Sequence, residues 1–210
     1  MREEAFINNE IYYDLIGDIK KFEFTPEDLM KVKVLSVGAF DLSGQFVSND
    51  LGDLNYFKNL EKISLSGFIV NRPNIKLISD LKKLRNFEFR NCEFKDCLNI
   101  KGDAIDLDEC KNIGRVSVEQ FKNVTIKNCE VDGLSLDSAK NLTLEKMKMN
   151  EKLEQLIRQL QTCCNIKLIT CKYESKEQKE GLRQLENVRI IKDKILTNSG
   201  VIYEDDEEAD

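Results

Sequence analysis

Seven cysteines and no histidine limit the chemistry that this sequence can offer. The most suggestive ligand set is formed by four regularly spaced thiols, Cys92, Cys110, Cys129 and Cys171. A structural zinc site needs four ligands that converge on one point, with close pairs such as C-x2-C. These thiols are 18, 19 and 42 residues apart in turn, so we do not expect a metal site. A reactive thiolate needs a basic neighbour or a helix N-terminus, and the sequence specifies neither.

The residues that most enzymes use for proton transfer are missing as well. Histidine is the commonest general base and the usual partner of a Ser or Cys nucleophile. The sequence also has no G-x-x-x-x-G-K-[ST] loop, no G-x-G-x-x-G motif and no paired-carboxylate motif. We therefore expect a protein that is not an enzyme and that takes no cofactor and no small-molecule substrate.

The four thiols occupy one position of a longer repeat, and this repeat decides where they lie. Its pattern is apolar, any, apolar, any, any, and then Cys, Phe or Met, although the last copy ends on Asp193. The eight copies begin at Leu35, Ile63, Phe87, Ile105, Val124, Leu142, Ile166 and Val188. The alternation of apolar residues predicts a short strand in each copy. The starts are 28, 24, 18, 19, 18, 24 and 22 residues apart, so the connections differ in length.

Further apolar residues flank each copy, three positions before it and two positions after it, and they complete the pattern L-x-x-L-x-L-x-x-C-x-L. This pattern resembles that of leucine-rich repeat proteins over about residues 25–196, with Cys or Phe where many members have Asn. The resemblance implies an α/β solenoid: a leucine-rich repeat horseshoe with a parallel concave β-sheet and a convex side of helices and short strands. A single coil cannot bury its apolar edge alone, so neighbouring coils must stack.

The connections between the strands are predicted from their length and their caps. Long connections hold helices after Asn150 and after Ser175, and a third helix is expected over residues 74–83. Connections of 18 residues are too short for a useful helix and carry a second apolar pair, at 98–100, 116–118 and 134–136. At the adjacent pair of thiols, Cys163 occupies the inward repeat position, so Cys164 is expected to face the other way.

Three parts of the chain are predicted. Residues 1–31 form an N-terminal cap, in which Ile11, Leu15, Ile16 and Ile19 make a helical stripe. Thr25 and Pro26 then begin a helix, in a turn similar to the caps of internalin-like leucine-rich repeat proteins. Residues 32–196 form the solenoid of about eight coils, and residues 197–210 form a C-terminal segment with an acidic tail. Either residues 193–203 fold over the last coil, or another molecule covers that edge.

The charge is concentrated at the end of the sequence. Six of the last seven residues are acidic and account for the whole net charge of −6. The neutral remainder offers no basic field for phosphate backbones, so we do not expect nucleic-acid binding. No apolar run reaches the ~18 residues of a membrane span, and the first residues lack the order of a signal peptide. The expected location is the cytoplasm, with the nucleus as the alternative, and no contact with a membrane.

Candidate binding residues come from the strand positions that point out of the predicted interior. The middle row follows the first apolar residue of each copy, and it sets Glu88 beside Asp106 and Lys167 beside Arg189. Like charges on neighbouring strands cost stability, so these pairs suggest contacts with a partner protein. The alternative is that the long side chains extend into water or pair with oppositely charged residues diagonally across the sheet. The end row lies two residues further along each strand and adds Asp108 and Lys127. The charges in this row alternate in sign, so neighbouring residues of the row can neutralise one another. The Asn column at the start of the strands is expected to serve hydrogen bonding.

Three functions remain open on this basis. The first is a protein interaction module that binds a protein partner through its concave face. The second makes the acidic tail the binding element, since a repeat body with such a tail resembles the acidic leucine-rich nuclear phosphoproteins, which bind basic proteins such as histones. The third is a structural subunit whose C-terminal coil is covered by a neighbour in a larger assembly.

Overall fold

The computed structural model describes residues 23–38, 50–130, 135–136, 139–191, 193–197 and 200–204. The predicted helical stripe of the cap and the acidic tail after Glu204 lie outside these residues. Within them, the fold is α/β, with sixteen strands and four α-helices numbered here in chain order.

The main element is an eight-stranded sheet in which every neighbouring pair is parallel. Its strands adjoin in the order in which they occur along the chain. They are β1 (Val34–Gly38), β2 (Lys62–Ser66), β4 (Asn86–Arg90), β7 (Ala104–Asp108), β9 (Phe121–Lys127), β11 (Ala139–Glu145), β12 (Asn165–Ile169) and β14 (Val188–Ile191).

The strands align position by position, as the repeat predicts. Phe87 pairs with Ile105, Ile105 with Val124, and Val124 with Leu142, and all four side chains are buried. Alternate residues point to opposite faces of a strand, so one face of the sheet packs into the core and the other stays open. The predicted apolar column is therefore the core face of the main sheet.

Shorter strands lie between the main ones and form three further sheets. The second apolar pairs form a parallel sheet of β6 (Leu98–Lys101), β8 (Val116–Glu119) and β10 (Ser135–Leu136). Parallel strands β3 (Ile69–Val70) and β5 (Glu93–Phe94) form another. The last sheet consists of β13 (Lys172–Tyr173), β15 (Asp193–Thr197) and β16 (Gly200–Glu204). Strand β15 pairs with β13 and β16 pairs with β15, so these two strands extend the fold past the last main strand.

The four helices begin at side-chain caps. Thr25 and Asp28 form a reciprocal capping box at α1 (Pro26–Lys31). The other helices are capped by Asn71, Asn150 and Ser175, and they are α2 (Arg72–Asp80), α3 (Glu151–Leu160) and α4 (Lys176–Arg183). Helix α2 starts two residues earlier than predicted, because the Asn71 side chain accepts from Asn74 N and Pro73 fits the first turn.

The expectation for the adjacent thiols is wrong. Cys164 is buried at 2% exposure, whereas Cys163 is exposed. Both backbone amides donate to the carbonyl of Leu160, so the turn that ends α3 shifts the inward position by one residue. Burial, with a smaller effect from Cys163, raises the pKa of Cys164 to about 11.

Candidate functional site

The candidate site is the open face of the main sheet, which we define by the alternate residues that do not enter the core. Its middle row is in register across the eight strands, as predicted. The row consists of Ser36, Ser64, Glu88, Asp106, Thr125, Thr143, Lys167 and Arg189. The two like-charged pairs that the sequence predicts, Glu88 with Asp106 and Lys167 with Arg189, are therefore true strand neighbours.

We call Glu88, Asp106 and Asp108 the acidic cluster, and Glu88 is its most neutralised member. Its carboxylate is 3.2 Å from Lys62 Nζ on β2 and also pairs with Arg90 on its own strand. Burial alone would raise the pKa of Glu88, but the hydrogen bond from Lys62 and the charges of Arg90 and Lys62 lower it. Glu88 thus stays ionised and is neutralised by Lys62, a diagonal neighbour, and by Arg90 on its own strand, and not by its row.

The negative charge of Asp106 is less well neutralised than that of Glu88. Its Oδ2 is 3.7 Å from Lys127 Nζ, while its Oδ1 is buried with no hydrogen-bond partner among the described residues. Burial, and then the charges of Glu88 and Asp108, raise the pKa of Asp106, although Lys127 acts against them. The carboxylate lies in a depression of about 410 Å³ that Asn86 and Thr125 also line. Because Oδ1 itself is buried, it is an unsatisfied polar atom of the fold and not an acceptor that a partner can reach.

The alternating end row does not neutralise itself along the row. Asp108 is in register with Lys127, but the ion pair of Lys127 goes to Asp106. Arg90, which is also in register with Asp108, pairs with Glu88 instead. Asp108 itself has no cation within 4.0 Å in the described part of the chain. The ion pairs run between the rows, which the sequence alone does not reveal.

The second like-charged pair lies on the last two strands of the sheet. Lys167 and Arg189 are exposed strand neighbours, and no carboxylate of the described residues is within 4.0 Å of either. Ile169 and Ile191 follow them on the same face, and Ile191 keeps 37% of its surface exposed. We call these four residues the basic patch. A depression of about 300 Å³ at its edge is also lined by Asn165, Asn187 and Glu186.

The asparagine column at the start of the strands is occupied within the chain. Asn141 Nδ2 donates to Asn123 Oδ1 at 3.0 Å, and Asn165 Nδ2 donates to Asn141 Oδ1 at 3.3 Å. Asn187 Nδ2 donates to the carbonyl of Gln161 at 2.8 Å. Asn123, Asn141 and Asn165 form a ladder that ties β9, β11 and β12 together, and Asn187 bonds the end of α3. The expected hydrogen-bonding role is confirmed for these four residues.

The four repeated thiols are buried and donate to the preceding main strand. The Sγ of Cys92 is 3.4 Å from the carbonyl oxygen of Leu65, and the Sγ of Cys110 is 3.2 Å from that of Phe89. Cys129 and Cys171 donate in the same way, at 3.5 and 3.3 Å. The neighbouring thiols of Cys129 and Cys92, together with burial, raise the pKa of Cys110. Cys110 is thus a neutral donor, and the four thiols link neighbouring strands through their sulfur–carbonyl contacts. The described residues contain no group of three or more Cys, Asp or Glu placed to hold a metal.

Two features of the open face escaped the sequence reasoning. The free Oδ1 of Asp106 depends on side-chain geometry and leaves no sequence signal. The aliphatic part of the basic patch did have a signal, because Ile169 and Ile191 interrupt an end row that is otherwise polar or small. An apolar pair beside two cations was the stronger hint of a contact surface.

Comparisons with known proteins add no relative to this picture. No family model matches the chain, and no curated protein is significantly similar to it. Among the described residues, no helix combines the length and the apolar character needed to cross a membrane.

Proposed function

We propose that this chain is a leucine-rich repeat protein without catalytic activity that binds a protein partner through the open face of its parallel sheet. Two observations support the proposal, the apolar repeat of the sequence and the arrangement of the strands. Eight strands follow one another in chain order and in register, and each returns through a short strand or a helix. In such a solenoid, α1 belongs to the cap of residues 1–31, and the open face is the concave surface.

The observation that carries the proposal is the basic patch. Exposed cations alone are ordinary, and a lysine pair on another sheet illustrates this: Lys148 and Lys172 are also exposed and paired across a parallel bridge. Lys167 and Arg189 differ because they adjoin two aliphatic side chains at the side of a depression. Cations beside exposed aliphatic carbon suit a protein segment that brings both carboxylates and apolar groups.

The acidic cluster is the second part of the proposed surface. Glu88 is neutralised within the chain and Asp106 Oδ1 is buried, which leaves the carboxylate of Asp108 to meet a donor. A partner that spans both regions would present acidic groups to β12 and β14 and a hydrogen-bond donor near β7. Affinity from the basic patch is expected to exceed that from the acidic cluster, since ionic partners within the chain compete only at the cluster.

Affinity purification with quantitative mass spectrometry tests the proposal. The bait variant Lys167→Glu/Arg189→Glu reverses the patch, and Lys148→Glu/Lys172→Glu is the matched control with the same change of charge. We expect partners that bind wild type and the control but fall by about tenfold or more with the patch variant. Partners retained equally by all three baits would exclude the open face, and a turnover assay that finds catalysis would contradict the absence of enzymatic activity.

A further inference from the structure

The middle row of the open face changes the sign of its charge from one side of the sheet to the other. From β4 to β14 the row holds two acids, two threonines and two cations in register: Glu88, Asp106, Thr125, Thr143, Lys167 and Arg189. The gap between β9 and β11 divides this row into two halves. Each acid of one half has a cation at the same distance on the other side of the gap, and the two threonines flank the gap itself.

The end row follows the same rule where it crosses the gap. Lys127 on β9 and Glu145 on β11 are strand neighbours of opposite charge. The outer strands add two charged residues on one side and two isoleucines on the other: Arg90, Asp108, Ile169 and Ile191. From β4 to β14 the two rows together hold four acids and four cations, so this part of the open face has no net charge that would repel a second copy of itself.

A face with this pattern is complementary to itself around a two-fold axis, in which the same surface serves both copies. If the axis runs parallel to the strands along the gap, the order of the strands is reversed in the second copy. Strand β4 then faces β14 of the second copy, and β7 faces its β12, so every acid of the middle row meets a cation. An axis across the strands keeps their order and sets Glu88 against Glu88. The charges therefore select the axis parallel to the strands.

The charged groups of both halves are accessible. Lys167 and Arg189 are exposed, with no carboxylate within 4.0 Å among the described residues. The side chain of Asp106 is 35% exposed, and its Oδ2 is 3.7 Å from Lys127 Nζ, which is longer than a hydrogen bond. Asp108 has no cation within 4.0 Å in the described part of the chain. Docking can therefore exchange one loose ion pair within the chain for pairs between the copies.

We propose that the protein partner of the open face is a second copy of this chain, bound around a two-fold axis parallel to the strands. This inference rests on the proposed function, because it names the partner of the same face. In the proposed solenoid the face is concave, so the outer strands of the two copies approach most closely, and the charged residues of the middle row lie on those strands.

The size of the contact predicts a weak dimer. Five strand spacings of about 4.8 Å and four residue steps of about 3.3 Å give a footprint of about 300 Å². A stable interface buries roughly 800 Å² on each partner. We therefore expect a dimer that forms at high protein concentration and depends on ionic strength.

Light scattering of the pure full chain tests the dimer with two variants of opposite charge. Lys167→Glu/Arg189→Glu makes all charges of the middle row negative, and Glu88→Lys/Asp106→Lys makes them all positive. Wild type should dimerise at about 0.1–1 mM protein in about 0.01 M salt, and the dimer should dissociate in 1 M salt. In each variant alone the Kd of the dimer should rise about tenfold or more, whereas a mixture of the two variants should form a heterodimer.

Two further variants control for charge and folding. Lys148→Glu/Lys172→Glu has the same net charge as the patch variant and should keep the Kd of wild type. Because the variant at Glu88 disturbs ion pairs of the fold, Glu145→Lys provides an independent test. Glu145 has no cation within 4.0 Å among the described residues, and in the dimer its substitution sets a lysine against Lys127 of the second copy. The Kd should rise about threefold or more, while circular dichroism shows a folded protein.

Three results would overturn the proposal: a wild type that is monomeric at about 1 mM in low salt, a dimer that the charge variants retain, or folded variants that do not associate when mixed. Failure of the proposed function is a separate outcome. A monomeric chain together with a different protein that requires Lys167 and Arg189 overturns only the second copy as the partner. A monomeric chain whose partners bind the patch variant and its control equally overturns the open face as a binding surface.

Discussion

The acidic cluster and the basic patch have the same arrangement of like charges but different surroundings. At the cluster, Lys62, Arg90 and Lys127 reach the carboxylates of Glu88 and Asp106 from neighbouring positions. At the patch, no described carboxylate reaches Lys167 or Arg189, and their neighbours along the strands are Ile169 and Ile191. The cluster is thus partly built into the fold, whereas the patch is available to another molecule.

The contrast shows how far a charge row can be interpreted. Identical charges on adjacent strands do not by themselves mark a binding site, because diagonal partners neutralise Glu88 and a bridge between two lysines occurs elsewhere. The two regions differ in the residues around the like-charged pair. Cations lie on the neighbouring strand or two residues along the strand at the cluster, and isoleucines lie two residues along at the patch. If the contrast is right, changes at the cluster should alter stability, and changes at the patch should alter binding.

The largest expected effect on stability comes from the contact between the starts of β4 and β7, the two strands that carry the acidic cluster. A Cβ on Gly102 would lie 2.3 Å from the carbonyl oxygen of Arg85, which accepts from the amide of Asp103 at 2.7 Å. Gly102→Ala must therefore push β7 away from β4, and we expect a loss of about 1–3 kcal/mol in the free energy of unfolding. Urea denaturation followed by circular dichroism measures this loss.

The matched control is Gly181→Ala, in the interior of α4. A Cβ there meets only the end of the Arg158 side chain at 3.0 Å, a flexible side chain that pairs with Glu154 and needs to shift by only a few tenths of an ångström. The control should be neutral or stabilise the protein by up to about 1 kcal/mol, because alanine favours the helix. Equal losses in the two variants would mean that the close approach of Gly102 to Arg85 does not contribute specifically to the stability of the protein.

A smaller loss is expected when Glu88 is neutralised. Glu88→Gln removes two ion pairs from a side chain that is 15% exposed, and we expect it to cost roughly 1 kcal/mol at pH 7. Because the pKa of Glu88 is lowered in the folded state, its contribution is present above the unfolded value of about 4.3 and is lost as the pH falls through the folded pKa. The difference between wild type and Glu88→Gln should therefore shrink from pH 7 to about pH 3.

The control for Glu88 is Glu145→Gln on β11, a half-buried open-face glutamate with no cation within 4.0 Å among the described residues. Its substitution should change the free energy of unfolding by less than that of Glu88. A larger effect at Glu145 would show that the ion pairs of Glu88 contribute little to the fold.

The opposite sign is expected at Asp106. Burial raises the pKa of this carboxyl, so its ionised form is penalised in the folded state at neutral pH, and the penalty disappears as the pH falls below the folded pKa. Asp106→Asn should stabilise the protein at pH 7 by at most about 1 kcal/mol, since a side chain with 35% exposure is well screened. Thermal unfolding at pH 7 and at about pH 4 should show this gain shrinking, with Asp108→Asn as the control. A gain that grows on acidification would contradict the raised pKa.

Much of the main sheet could be predicted from the sequence, because strand register follows from the apolar repeat. The spacing of Phe87, Ile105 and Val124 was enough to make them neighbours. The caps Thr25, Asn150 and Ser175 were enough to place the starts of three helices, whereas the Asn71 cap was not predicted. The repeat could not predict which of Cys163 and Cys164 is buried, because the turn after α3 shifts the inward position by one residue.

The site was less predictable than the sheet. The rows of the open face follow from register, but the ion pairs of Glu88 depend on how far Lys62 and Arg90 extend. The free oxygen of Asp106 depends on a rotamer that no sequence pattern specifies. The charges of the open-face residues and their positions on the sheet were therefore predictable, but the ion pairs that neutralise them were not.

The most direct test of the account compares one isolated partner across three forms of the chain. Once affinity purification has identified the partner, titration calorimetry gives its Kd for wild type, for Lys167→Glu/Arg189→Glu and for Lys148→Glu/Lys172→Glu. We predict that only the first variant weakens binding, by about tenfold or more, while its free energy of unfolding stays within about 0.5 kcal/mol of wild type. Equal affinities in all three, or an equal loss in both variants, would contradict the claim that the basic patch binds the partner.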